Sequence, residues 1–287
     1  MLTAEEREAF RKDGFVKREG VLSEEALDVC RRRTETCMAD EASGAIFRYG
    51  DGGRPIHCKI PQLAERDDVF RGIAQHSEVA EAVEDLLGPS RIFRDVVIVK
   101  SPIAGAVVHY HQDAAYWDID RPDLALSAWI ALDDAPHEAG CLQVVPGSHR
   151  GATEHTILVG GRRLPDFITR SLRRATSLTG TGDNPQTARE KTFAALKTFA
   201  LGGVTRFVPA LNDLNDLRID PEAVAAENLV SLPARAGDVI FFSSWLIHGS
   251  AVNTSPNLRR AYIVSYMADA CRVPGRPVSA FLPARPI

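Results

Sequence analysis

The chain has 287 residues, of which 45% are hydrophobic and 25% charged, and its formal net charge is -4. This composition is typical of a globular protein and excludes a disordered or fibrous chain. The mild acidity gives no overall reason to bind nucleic acid or an anionic membrane. No apolar run approaches the ~20 residues of a membrane-spanning helix. We therefore expect neither nucleic acid nor membrane among its partners.

The N-terminus and the cysteines predict the compartment. The polar, acidic N-terminal stretch matches neither a secretory signal nor an arginine-rich transit peptide. Five cysteines are scattered along the chain without a CxxC pair, which is typical of reduced thiols. These features predict a cytoplasmic protein, and the length is compatible with a single domain over residues 1–287.

Residues 1–90 are predicted to form a helical N-terminal part. Thr3 and Glu6 have the spacing of a capping box, and a turn at Asp13-Gly14 ends that helix. Ser23 is placed to cap a second helix that begins with two glutamates. A third helix is expected at about 76–88, after a loop rich in glycine.

From residue 91 the hydrophobic period changes to that of strands. Turn residues such as Pro146-Gly147 separate short β-branched or aromatic runs in residues 91–150 and 228–270. The runs lie at 96–100, 107–111, 126–132, 142–145, 238–243 and 261–267. Many short strands without alternating helices favour an antiparallel sandwich or barrel. The predicted fold class is therefore mainly β, with the N-terminal helices packed on this core.

A segment of different character, residues 155–228, interrupts the β pattern. Helices are predicted to begin at Pro165 and at the Thr187 capping box. Residues 162–197 contain eight basic and three acidic side chains. One interpretation is a lid whose arginines recognise an anionic group on the substrate. The alternative is a solvated helical insertion or the contact of a homodimer. The arginines concerned are Arg162, Arg163, Arg170, Arg173 and Arg174.

Two histidines and one carboxylate are candidate metal ligands. His111 and Asp113 lie two residues apart at the end of a strand-like run, so their side chains can share one face. His248 closes an apolar run before Gly249, where a buried imidazole must either hydrogen-bond or bind a metal. Each residue alone has an ordinary structural alternative. Together they match the facial triad that holds non-haem Fe(II) with positions left open.

A candidate carboxylate clamp follows His248 by eleven residues. The guanidinium of Arg259 can hold a carboxylate through two parallel hydrogen bonds. A 2-oxo acid that chelates iron at one end needs such a clamp at its other end. Arg260 is the competitor, since adjacent strand residues face opposite sides and only one can reach the pocket. The spacing from His248 favours Arg259.

The ordered set of motifs resembles the phytanoyl-CoA dioxygenase family of Fe(II)/2-oxoglutarate-dependent oxygenases. The resemblance covers most of the chain except about 155–230. The matching stretches are Asp13-Gly14-Phe15, His111-Gln112-Asp113, Trp129, residues 140–150, Ala236-Gly237-Asp238, His248-Gly249-Ser250, Asn253, Ser255 and Arg259. The family's fold is a double-stranded β-helix, a cupin-like jelly roll, here with a helical insertion.

The resemblance also implies roles for single residues. It makes His111, Asp113 and His248 the iron ligands and Arg259 the partner of the distal carboxylate of 2-oxoglutarate. The cofactor would be Fe(II), with 2-oxoglutarate and O₂ as cosubstrates. The residues expected to line the cosubstrate pocket are Lys59, Gln112, Trp129 and Ser250.

The implied reaction converts 2-oxoglutarate to succinate and CO₂ while an unactivated C–H of a small or medium organic molecule is oxidised, usually by hydroxylation. Relatives that halogenate lack the carboxylate, so Asp113 favours oxidation. Three alternatives stay open: another metal-dependent cupin-like enzyme, a nucleic-acid demethylase, and a metal-free jelly-roll binding protein. Further candidate substrate contacts, for which core packing is the alternative, are Tyr116, Trp117 and Trp245. His57 and His155 are expected at the surface.

Overall fold

The computed structural model describes residues 1–50, 53–103, 105–159, 162–163, 217–220, 223–224 and 228–286. The helices predicted at Pro165 and Thr187 therefore lie outside the described residues, as do Arg170, Arg173 and Arg174. Among the helices that the structure describes, none has the length and apolar character needed to cross a membrane.

The helices lie in the N-terminal third of the chain. They are α1 (Ala4–Asp13), α2 (Glu24–Ala39), α3 (Leu63–Arg66), α4 (Asp68–Ala74) and α5 (Ser77–Leu87). The Thr3–Glu6 capping box is present at α1, with both reciprocal hydrogen bonds made. Ser23 caps α2 by accepting the N–H of Ala26. The three helix starts predicted from the sequence are thus confirmed, while α3 and α4 are additional.

Antiparallel strands in two facing sheets form the body of the protein. In the described residues the larger sheet has seven strands, in the order β1-β12-β6-β14-β4-β3-β2. These strands are β1 (Phe15–Arg18), β2 (Ile46–Tyr49), β3 (Pro55–Pro61), β4 (Ser90–Lys100), β6 (Ala125–Ala131), β12 (Val239–Ser243) and β14 (Arg259–Ala268). The smaller sheet has the order β11-β7-β13-β5. Its strands are β5 (Val108–His111), β7 (Leu142–Val144), β11 (Val230–Leu232) and β13 (His248–Ser250).

The two faces of the large sheet have different partners. Alternate residues of β4, such as Val97 and Val99, pack into one apolar cluster with Leu27 of α2 and Phe70 of α4. On the other face, Trp129 of β6 packs in a second cluster that includes residues of β7 in the small sheet. Because side chains alternate along a strand, one face carries the helices and the other faces the interior of the sandwich.

Several differences from the sequence analysis concern the N-terminal part and the insertion. Residues 1–90 also contribute β1, β2 and β3, each too short to be separated from loops by pattern alone. The described margins of segment 155–228 are strands rather than helices. These are β8 (Thr156–Val159), β9 (Arg162–Arg163) and β10 (Leu217–Arg218). All five cysteines are free thiols and buried. His57 and His155, expected at the surface, are each only 3% exposed.

Candidate metal centre

His111, Asp113 and His248 converge at one point of the small sheet. His111 is the last residue of β5, and Asp113 begins the short 3-10 turn that follows. His248 opens β13 and lies directly opposite His111 in the antiparallel pair. Nε2 of His111 is 3.5 Å and Nε2 of His248 is 3.7 Å from Oδ1 of Asp113. One donor atom from each residue lies within 4.8 Å of the others, which is compact enough to hold a metal ion.

Hydrogen bonds on the far side of each imidazole fix its orientation. Nδ1 of His111 lies 2.8 Å from the carbonyl oxygen of His109, and Nδ1 of His248 lies 2.9 Å from that of Leu246. A carbonyl only accepts, so each Nδ1 must carry the proton that is donated. In the neutral imidazole this leaves Nε2 as a lone pair directed toward the cluster, which is the tautomer that binds metals.

Asp113 is held by a hydroxyl of the large sheet. The Ser127 hydroxyl donates to Oδ2 of Asp113 at 2.7 Å and lies 3.1 Å from the Ser265 hydroxyl. Burial would raise the pKa of Asp113, but the two imidazoles and the Ser127 hydroxyl outweigh it and lower the pKa to about 2. Burial, together with the charge of His111, lowers the pKa of His248 to about 4. At neutral pH the cluster therefore offers an ionised carboxylate and an unprotonated His248.

Two buried basic side chains lie on adjacent strands of the large sheet. Arg259 of β14 is opposite Lys100 of β4, and their residue exposures are 2% and 0%. The Arg259 guanidinium lies 5.6 Å from the centre of the Trp129 ring, and its Nε is buried without a hydrogen-bond partner. The ammonium of Lys100 donates to the carbonyl oxygens of Ser250 and Ala251. Among the described residues, no carboxylate forms an ion pair with either side chain.

These two buried bases, a charged guanidinium and an amine that is largely uncharged at neutral pH, offer hydrogen-bond donors to an anionic ligand. Burial lowers the pKa of Arg259 to about 10, and burial together with the charge of Arg259 lowers the pKa of Lys100 to about 6. An unpaired buried charge is costly, and a bound carboxylate would compensate it. The buried unpartnered Nε of Arg259 and the three-ligand cluster thus fit a metal-chelating acid with a second carboxylate.

Arg260 has a different role. Its guanidinium forms a two-point ion pair with Asp133, at 2.8 and 2.9 Å, and also bonds Glu35 of α2 at 2.8 Å. These partners belong to the helix-bearing side of the sheet, so the alternation of neighbouring residues directs Arg259 to the interior. The structure thus places the two arginines as the sequence analysis expects.

Three of the residues predicted to line the cosubstrate pocket lie in strands around the interior. Trp129 contacts the Arg259 guanidinium, and Ser250 is bonded through its carbonyl to Lys100. Lys59 pairs with Ile98 across β3 and β4, on the face opposite the helix-packed Ile60. All three positions border the interior face of the large sheet.

The Gln112 side chain is engaged with loop backbone beside the metal ligands. Its side-chain amide donates to the carbonyl oxygens of Gly151 and Trp245 and accepts the N–H of Thr153. Its backbone N–H donates to His155, which is why that histidine is buried. Because both amide hydrogens are used by backbone groups, Gln112 ties loops together next to the metal ligands.

The predicted substrate contacts are only partly close to the cluster. The Tyr116 ring meets the His111 ring edge-on at 5.4 Å. Trp117 packs against Phe93 at 5.6 Å, while Trp245 is half-buried and bonds Gln112 through its carbonyl. Arg162 and Arg163 are described only as strand β9, so recognition of the substrate by the insertion arginines stays a prediction.

Several polar residues of the site were missed by the sequence analysis. Lys100 and Arg94 lie on β4, where an apolar run drew attention away from its charged residues. Arg218, from the insertion, donates to Nε2 of His109 at 2.9 Å. Ser127 lies within an apolar strand and had no signal of its own. The inward alternation of residues 94, 96, 98 and 100 was the one pattern that could have indicated the two basic side chains.

The fold and the cluster define a jelly-roll protein with a 2-His-1-carboxylate centre, and comparison with known proteins identifies its family. The family described as Phytanoyl-CoA dioxygenase (PhyH) matches residues 10–261. The chain therefore belongs to the phytanoyl-CoA dioxygenase family.

Curated relatives agree with this assignment. Phytanoyl-CoA dioxygenase domain-containing protein 1 of Mus musculus is 30% identical over 210 residues, which cover 72% of this chain and 56% of that protein. The chain thus spans little more than half the length of this relative. Peroxisomal phytanoyl-CoA dioxygenase of Rattus norvegicus is 23% identical over 288 residues, covering 95% of this chain and 70% of that protein.

Solved structures share the fold. The non-heme alpha ketoglutarate dependent carbocyclase SnoK from nogalamycin biosynthesis has a TM-score of 0.64 at 24% identity and covers 100% of this chain and 93% of its own. EctD from S. alaskensis with bound Fe has a TM-score of 0.62 at 20% identity and covers 96% and 80%. The predicted mainly β, cupin-like jelly roll is confirmed.

Proposed function

We propose that this protein is an Fe(II)- and 2-oxoglutarate-dependent dioxygenase that oxidises an unactivated C–H of a small or medium organic molecule. The observation that carries the proposal is a three-ligand cluster in the same sandwich as a buried guanidinium that lacks an anion. Family membership supports it, and so does the occurrence of Fe in the structural neighbour EctD.

Each residue has a defined role in this proposal. His111, Asp113 and His248 would hold the iron, with the two Nε2 atoms and a carboxylate oxygen as the available donors. Ser127 keeps Asp113 ionised and oriented by donating to its other oxygen. When bound, iron supplies the activation of O₂ that is coupled to the decarboxylation of 2-oxoglutarate to succinate and CO₂.

The cosubstrate is held by the chain's own basic side chains. Arg259 binds the distal carboxylate of 2-oxoglutarate through two hydrogen bonds, one of them from its unpartnered Nε. Trp129 covers the guanidinium with its ring and excludes water. Lys100 contributes a second donor near the same end of the interior. Orientation by this clamp is the protein's main contribution to the reaction.

The test measures metal binding, cosubstrate binding and turnover separately. Purified protein is loaded anaerobically with Fe(II), and the unfolding temperature is measured with and without 2-oxoglutarate before air is admitted and succinate is quantified. We expect one iron per chain, a rise in unfolding temperature with 2-oxoglutarate, and slow succinate formation that a substrate accelerates.

Variants assign the roles. Asp113→Ala should lose iron, and Arg259→Gln should keep iron but bind 2-oxoglutarate roughly 100-fold more weakly. Arg235→Gln is the matched control, since Arg235 is exposed and lies in the turn before β12. Metal-dependent activity without any need for 2-oxoglutarate would indicate another cupin-like enzyme. Failure to bind any metal would favour a jelly-roll binding protein.

A further inference from the structure

Arg94 lies in the interior of the jelly roll, in the same row of the large sheet as the residues that support Asp113. It pairs with Ser265 of β14, and Ser265 pairs in turn with Ser127 of β6. Cross-strand partners point to the same side of a sheet. Since the Ser127 and Ser265 hydroxyls contact each other and Ser127 bonds Asp113, Arg94 faces the side on which the metal cluster lies.

A β-bulge fixes this position. Ser265 pairs with Arg94 but Tyr266 pairs with Ile92, so Phe93 is an extra residue in β4. Bulges redirect side chains and are common beside active sites. Here the extra residue lets Phe93 pack edge-on against Trp117 at 5.6 Å, while Arg94 keeps the register of Ser265. Trp117 follows Asp113 by four residues. The Arg94 guanidinium and the rings of Phe93 and Trp117 therefore lie near the metal cluster.

The Arg94 guanidinium has no partner of its own. None of the hydrogen bonds or ion pairs in the described part of the chain includes its side chain. Arg94 is nevertheless surrounded by protein, and this burial lowers its pKa. The charges of Asp113 and Asp95 oppose that shift. The Arg94 side chain is also open to solvent. A residue that is exposed and yet surrounded by protein is accessible to a ligand from within the fold.

Arg94 lies away from the clamp proposed for the distal carboxylate of 2-oxoglutarate. Arg94 and Lys100 are six residues apart on one extended strand, which separates their Cα atoms by roughly 20 Å. Arg94 therefore lies outside the Arg259–Lys100 end of the interior, where the distal carboxylate of 2-oxoglutarate is proposed to bind. Arg94 is therefore available to a different ligand, one that approaches the metal cluster from the other end of β4.

We infer that Arg94 recognises a carboxylate on the substrate that the enzyme oxidises. The apolar body of this substrate packs against Phe93 and Trp117. This inference rests on the proposed function. A single planar guanidinium matches a single carboxylate through two parallel hydrogen bonds. A phosphate monoester carries up to two charges and calls for further donors, and in the described residues no other unpaired cation neighbours Arg94. The substrate class is then an organic acid held by its carboxylate while a C–H of its body faces the iron.

The experiment uses matched acids and esters as probes. Protein loaded with Mn(II) and 2-oxoglutarate, which binds without turnover, is titrated with hexanoate, decanoate and 3-phenylpropanoate. Each acid is compared with its methyl ester and with the phosphate ester of the corresponding alcohol. We expect at least one acid to raise the unfolding temperature, its methyl ester to have no effect, and the phosphate ester to bind more weakly.

Variants at Arg94 test the contact directly. Arg94→Gln should raise the dissociation constant of the best-binding acid by roughly 10- to 100-fold, which is the loss of affinity expected for a charge-assisted pair. Arg94→Lys should retain part of the affinity, because it keeps the charge but not the fork. Arg235→Gln should bind the acid like the wild type. The unfolding temperatures of the ligand-free variants confirm folding, since Arg94 makes no bond that the fold needs.

The outcomes separate this inference from the proposed function. Equal binding of acid and ester, preference for the phosphate, unchanged affinity in Arg94→Gln, or no binding of any acid would each overturn the role of Arg94. A wild-type Fe(II) protein that never forms succinate would overturn the dioxygenase proposal. The Mn(II) titration would then still decide whether Arg94 binds carboxylates.

Discussion

Replacing Lys100 by methionine should stabilise the protein at neutral pH and destabilise it in strong alkali. The ammonium of Lys100 is fully buried, its nearest charged neighbour is the cation Arg259, and its pKa is lowered to about 6. In the unfolded chain the same amine has a pKa near 10.4. Between these values the folded protein holds fewer protons than the unfolded chain, so stability rises with pH.

The magnitude follows from the two pKa values. At pH 7.5, deprotonating Lys100 on folding costs about 4 kcal/mol, at 1.36 kcal/mol per pH unit. Methionine removes that cost but also removes the donor that serves the carbonyl oxygens of Ser250 and Ala251, a loss of about 2 kcal/mol. The variant should therefore be about 2 kcal/mol more stable at pH 7.5. The advantage should vanish near pH 9 and reverse above it, as expected from the same slope.

Urea unfolding of both proteins from pH 7 to 10 measures this difference. Lys17→Met gives the contrasting control. Burial lowers the pKa of Lys17, but its bonds to Asp238 and Glu19 raise it overall. That raised pKa stabilises the fold below the unfolded value, so Lys17→Met should be less stable than wild type at neutral pH. A Lys100→Met difference that does not change with pH would refute the reasoning, because it would mean that Lys100 stays protonated in the fold.

Three further variants test other contacts of the site. Ser127→Ala removes the hydroxyl that donates to Asp113 and should weaken Mn(II) affinity 10- to 100-fold, measured by titration; unchanged affinity would contradict that role. Gly140→Ala places a Cβ in collision with the carbonyl oxygen of Ala251 at a φ of +70° and should lower the free energy of unfolding by more than about 2 kcal/mol, measured in urea. A stable variant would show that the turn can move. Gln112→Leu should lower the unfolding free energy by about 2 kcal/mol because its amide ties loop carbonyls together. Loss of 2-oxoglutarate affinity at unchanged stability would instead favour a place in the cosubstrate pocket.

The parts of the fold that the sequence predicted are those with local signals. The capping box at Thr3 predicts a helix and the apolar run of β6 predicts a strand, each from a few adjacent residues. Strand β1 has no such signal. Its four residues are held by pairing with β12, more than 220 positions later in the chain, and this partner is invisible in a local pattern. β2 and β3 pair with each other across a short loop, so this reason does not apply to them.

The site followed the same division. Each of His111, Asp113 and His248 has an ordinary structural alternative, and it was their combination into a facial triad that identified them as candidates. Lys100 and Ser127 gain their meaning from cross-strand neighbours, and no sequence period encodes which residue will lie opposite. Gln112 was predicted to line the pocket from its position between two proposed ligands; its side chain bonds loop backbone, and its place in the cosubstrate pocket stays a prediction.

The strand order has a consequence for synthesis on the ribosome. β4 and β6 are complete by residue 131, yet in the finished sheet they are separated by β14, which begins at residue 259. Until β14 has emerged, the two strands keep open edges that are prone to wrong pairing. The nascent chain must therefore carry these edges through the translation of more than a hundred residues. His248 emerges only shortly before β14, so the metal centre and the sheet are completed at nearly the same point of synthesis.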